Sequence, residues 1–202
     1  MSDCCQNKDN EILELQQKQR KVLIIVLLLN AMMFAVEFSY GVISQSTALM
    51  ADSLDMLGDA IVYALGLYVI AKGPKWKAIS AVLKGLIMIL FGLYVLVEAL
   101  NKIQTDIMPA ASIMGPIAVI ALLVNLICVY LLFSHRDDDI NMNSTWICSR
   151  NDIIANTSVI AASCLVWAFE TKWPDIIVGL ALCGLFLKSA FSVLSNAYKE
   201  LK

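Results

Sequence analysis

Three carboxylates, Asp52, Asp55 and Asp59, stand at spacings i, i+3 and i+7 within the otherwise apolar run Ala48–Ala71. On a helix that spacing puts all three on one stripe. Another acidic position, Asp152, stands four residues after Cys148 and four before Asn156 in the run Asn143–Phe169. Carboxylates one turn apart repel each other unless a cation or a proton lies between them. Lys84 or Arg150 could neutralise one of them, but hardly three. The residue types therefore suit a cation or proton site. Asp55 and Asp59 on one helix, facing Cys148 and Asp152 on another, would supply three carboxylates and one thiolate. Four oxygen and sulfur donors suit a tetrahedral d¹⁰ ion such as zinc or cadmium.

The elements that must position these groups are membrane helices. Of 202 residues, 59% are hydrophobic and 16% charged. An ordinary soluble domain is about half apolar and about a quarter charged. Six runs approach the length of about 20 residues that a spanning helix needs: Val22–Ile43, Ala48–Ala71, Ile79–Leu100, Ala110–Phe133, Asn143–Phe169 and Ile176–Leu194. The expected fold is all-α, a polytopic membrane protein with six transmembrane helices. Residues 1–21 read as a polar cytoplasmic arm, 22–194 as the six-helix transport domain and 195–202 as a short cytoplasmic tail. Ten basic residues fall at one set of helix ends and only Lys102 and Lys172 at the other, which places both termini in the cytoplasm. Counted from Ala48 at 1.5 Å per residue, Asp55 and Asp59 lie roughly 10 and 16 Å deep, the middle of the bilayer. Gly41, Gly58 and Gly66 are expected to let helices pack closely.

Several functions are excluded. The net charge of −2 offers no basic surface for nucleic acid. The six cysteines form no Cys-x-x-Cys pair, so free buried thiols are expected, with Cys4 and Cys5 a terminal thiol pair. His135 is the only histidine, and no hydrolase or phosphate-loop motif is present, which argues against an intramembrane enzyme.

The sequence resembles the cation diffusion facilitators, six-helix exporters that exchange divalent metal ions for protons. The similarity runs from about Lys21 to Lys202 and is densest from Asn30 through Glu37 and Gly41 to Ser46-Thr47-Ala48-Leu49-Met50-Ala51-Asp52-Ser53-Leu54-Asp55-Met56-Leu57-Gly58-Asp59. The resemblance implies that Asp55 and Asp59 carry the second-helix metal motif and that Cys148 and Asp152 carry the fifth-helix one. A cysteine departs from the usual histidine or aspartate there, and an alternative register pairs Asp152 with Asn156. Asn125 matches the family's fourth-helix asparagine, and Glu98 the glutamate ending its third helix. Asp52 and Glu37 are expected along the path or beside the ligands. The family's cytoplasmic metal-binding C-terminal domain and histidine-rich loop have no counterpart here, so a homodimer would form through membrane helices.

These readings converge on export of divalent metal cations in exchange for protons, zinc first, with cadmium, cobalt or nickel as further cargo. The metal is cargo and no permanently bound cofactor is implied. A bacterial inner membrane is the expected location. The rival readings are a proton or monovalent-cation pathway without metal, and a structural subunit whose buried charges pair across an interface.

Overall fold

The computed structural model describes the backbone of residues 2–69, 74–135 and 140–200. It describes side chains over 18–65, 82–135 and 149–195, except 84, 151, 189, 192 and 193, and also those of residues 67 and 146. Six helices follow in order: α1 Ser2–Ser44, α2 Thr47–Val69, α3 Pro74–Gln104, α4 Ala111–Phe133, α5 Ile140–Phe169 and α6 Trp173–Glu200. No strand occurs among the described residues. The polar arm is the continuous start of α1, because its Glu, Leu, Gln and Lys residues are themselves good helix formers. Glu98 lies inside α3 and does not end it. The side chains of Cys4, Cys5, Lys84 and Cys148, and the surroundings of Gly66, lie outside the described residues.

Lys18–Ser44 of α1, Gly85–Gln104 of α3, all of α4 and Asp152–Phe169 of α5 are long and apolar enough to cross a bilayer. Helix α2 falls short of that measure because it carries three aspartates. The bundle wears its apolar residues outside: Leu123, Tyr130, Ile154, Trp167 and Phe191 are exposed. Its polar residues are inside, with Glu37, Asp52, Asn125, Asn156 and Asp175 all at 1% exposure or less. That inversion is what lipid demands, since charged and amide groups are tolerated only in the bundle interior.

Helix α2 packs against α1, α3, α5 and α6, so the carboxylate stripe is carried by the central helix. The closest pairs are α1 with α2, α3 with α6 and α4 with α5. Small residues allow this. A Cβ on Gly41 would meet Met50 Cγ at 2.8 Å, and one on Gly92 would meet Leu187 Cδ2 at 2.9 Å. Gly58 departs from the packing expectation, with nothing within 4 Å of a Cβ built there. It leaves open space on the face of α2 that it shares with Asp55.

The turn between α1 and α2 is held from three sides. Gln45 takes a left-handed conformation (φ 54°). Ser46 Oγ accepts the Leu49 amide at 3.1 Å, while its carbonyl takes the Met50 amide at 3.1 Å. The Thr47 and Ala48 amides go to the Asp175 carboxylate of α6, at 2.9 and 3.2 Å. All the orphan donors at this helix start thus have acceptors, and a negative charge faces the positive end of the helix dipole. Lys102, expected in an outer loop, is instead in the last turn of α3, buried, with Nζ 2.7 Å from Asp175 and also donating to the Gln45 carbonyl.

Candidate cation site

Helical spacing brings Asp59 and Tyr63 to one face of α2, one turn apart. The Tyr63 hydroxyl donates to Asp59 Oδ2 at 2.7 Å, and Ser149 Oγ of α5 lies 3.3 Å from the same hydroxyl. This contact sets the register of α5 against α2. Three residues beyond Ser149 on α5 stands the buried Asp152, on a helix that packs against α2. Asp59 and Asp152 are each 9% exposed, whereas Asp55 is half-buried beside the open space at Gly58. Asp59 and Asp152 thus lie buried on the two helices that the Tyr63–Ser149 contact joins, with Asp55 one turn from Asp59.

The remaining expected residues divide. The backbone of α5 carries Cys148 one turn before Asp152, and its side chain lies outside the described residues. Asn156 is fully buried and donates to the Asp152 carbonyl at 2.9 Å, with its Oδ1 lacking a hydrogen-bond partner. Among the described residues, no three His, Cys, Asp or Glu side chains stand close enough to enclose a metal ion. On α1, Glu37 is fully buried and faces Asp52, and neither Glu37 oxygen nor Asp52 Oδ2 meets a hydrogen-bond donor. Asn125 of α4 is 1% exposed with its Nδ2 unpartnered.

Arg150 is exposed, and its guanidinium lies 5.3 Å from the Trp146 ring centroid. The thiols are not uniformly buried: Cys128 and Cys183 are, but Cys164 faces outward. Sequence reasoning missed Tyr63, Ser149, Lys102 and Asp175. Tyr63 had a signal, its i+4 spacing from Asp59. Lys102 and Asp175 had none, being 73 residues apart.

The bundle combines an apolar exterior with carboxylates buried in its interior, where a membrane protein keeps its charged groups. The profile of the cation efflux transmembrane domain matches residues 23–202. The chain belongs to the cation efflux family. It is 24% identical over 192 residues to the cadmium, cobalt and zinc/H(+)-K(+) antiporter of Bacillus subtilis, covering 88% of this chain and 62% of that protein. Against the metal cation efflux system protein CzcD of Cupriavidus metallidurans, identity is 26%, with 84% of this chain and 60% of the relative covered. Against the zinc transporter ZitB of Escherichia coli it is 25%, with 82% and 57% covered. The chain thus spans about six-tenths of the length of these curated relatives. It is an integral multi-pass membrane protein, and these bacterial relatives agree with the bacterial plasma membrane expected from the sequence.

Proposed function

We propose that this chain exports divalent metal cations from the cytoplasm in exchange for protons, with zinc as first cargo and cadmium, cobalt and nickel as others. The cation would bind at mid-membrane to Asp55, Asp59, Cys148 and Asp152. The observation that carries this reading is the burial of Asp59 and Asp152 inside the bundle, on helices α2 and α5 joined by the Tyr63–Ser149 contact, with Asp55 half-buried one turn from Asp59. Buried charges of one sign, with no lysine or arginine described among them, call for a mobile counter-charge. The relatives supply the class, since they are named as transporters or antiporters of zinc, cadmium and cobalt.

Exchange follows from charge. Four ionised ligands carry four negative charges, of which a divalent cation cancels half. An empty site of this kind keeps protons, and a cation binds by displacing them. Rocking of helices about the midplane would alternate access to the two faces. Glu37 and Asp52 extend the carboxylate path from Asp55 toward the clamped α1–α2 turn, the outer face in the proposed orientation.

The test is cation flux into proteoliposomes with an internal metal-sensitive dye, comparing zinc, cadmium, cobalt and manganese with and without a pH gradient. Saturable flux of zinc or cadmium that grows with the gradient supports the exporter. Proton leak with no metal movement would sink it and leave a proton pathway.

A further inference from the structure

A transporter that works by alternating access keeps one face of its site closed while the other is open. In this structure the closed end is the one that carries the α1–α2 turn. Every residue from Ser46 to Leu54 is buried, whereas Asp55 is half-buried and open space adjoins Gly58. One side chain gathers the ties that hold this end shut. Asp175, fully buried in the first turn of α6, accepts the Ser46 hydroxyl at 2.5 Å and Lys102 Nζ at 2.7 Å. It also accepts the Thr47 and Ala48 amides, at 2.9 and 3.2 Å. Lys102 of α3 in turn donates to the carbonyl of Gln45, whose φ of 54° is left-handed. Such backbone is disfavoured for a residue with a Cβ, so the turn keeps a form that its ties impose. One turn further along α6, a Cβ on Gly179 would lie 3.2 Å from Thr47 Cβ. A buried ion pair is commonly no more stable than apolar residues of the same size, so packing alone does not call for one here. Unlike an apolar contact, it can part without penalty to its exposed groups, because water hydrates both charges once the end opens.

We propose that Lys102 and Asp175 form the latch of the outer face. The pair holds the α1–α2 turn against α3 and α6 while the site is open to the cytoplasm, and lets it go when the site opens outward. The direction rests on the exporter reading above, in which this turn lies at the outer face. Separation of the turn from α3 and α6 breaks the bonds of Asp175 and Lys102 together, so this end opens in one step.

Two experiments on the full chain test the latch. In the first, Ser53→Cys, at a fully buried position beneath the turn, reports water entering from outside. Intact cells are treated with a membrane-impermeant maleimide, and labelling is measured above that of the unsubstituted chain. Labelling rises about tenfold when Asp175→Asn or Lys102→Met is added, and stays low with Lys102→Arg. Labelling that neither Asp175→Asn nor Lys102→Met alters, in inserted and monodisperse protein, overturns the proposal. In the second, Thr47→Cys and Gly179→Cys are joined by oxidation, since their Cβ spacing is close to the roughly 3.8 Å of a disulfide. Zinc flux in proteoliposomes falls about tenfold or more on oxidation and returns on reduction, and that return shows the chain to be folded. Full flux with the disulfide formed overturns the latch, because this end would then never need to open. The labelling arm uses no metal. A wild type that moves no zinc would therefore remove the exporter reading, while a tenfold rise in labelling would still support the latch.

Discussion

Lys102 of α3 and Asp175 of α6 form an ion pair at 2.7 Å, with 7% and 0% of their side chains exposed. The same carboxylate accepts the Ser46 hydroxyl at 2.5 Å and the first two amides of α2. One acidic side chain thus ties the start of the carboxylate-bearing helix to both α3 and α6.

Removing one partner of this pair should be costly. Lys102→Met leaves Asp175 buried without its counter-charge, a change worth about 3–5 kcal/mol in buried pairs. Thermal unfolding in detergent should show a clear fall in midpoint for Lys102→Met and a much smaller one for Lys102→Arg. Equal midpoints for Lys102→Met and wild type would show that the pair contributes nothing.

Tyr63→Phe should leave the helices packed, because the ring stays in its cluster with Val26, Cys128 and Leu132. It removes the hydrogen bond that orients Asp59, worth about 1.5–3 kcal/mol to a charged acceptor. Zinc flux should persist with KM changed by about tenfold or more. An unaltered KM and maximal rate would mean that Tyr63 only packs.

Asp59→Ala and Asp152→Ala should each abolish metal flux in an inserted, folded protein. Each removes a buried carboxylate of the proposed site without opening a large hole in the apolar core. Proteoliposome flux beside size-exclusion profiles in detergent checks this, and normal flux in either variant would reject the shared site.

Cys148→Asp should keep transport but move preference from cadmium and zinc toward harder ions such as manganese, because thiolate favours soft metals. Competition between cadmium and manganese for flux measures it. An unchanged preference order would favour the register in which Asn156 accompanies Asp152.

Much of this protein was legible in local pattern. Apolar runs near membrane length marked out the helices, because hydropathy and a rise of about 1.5 Å per residue act residue by residue along the chain. The stripe Asp52, Asp55, Asp59 was equally readable, since the helical period alone puts those positions on one face. Bounds were less so: the arm joined α1 because charged residues form helix as readily as apolar ones.

Tertiary structure decided which faces meet. Tyr63 and Ser149 are 86 residues apart, and Asn30 and Cys128 are 98 apart. No spacing rule links such positions, because inter-helix contacts depend on the rotation and register at which helices pack, and close packing sets these through small residues such as Gly41 and Gly92. Sequence alone marked Asp55, Asp59 and Asp152 as groups in need of a partner. Packing of α2 against α5 joined the helices that carry them, through the Tyr63 hydroxyl and Ser149.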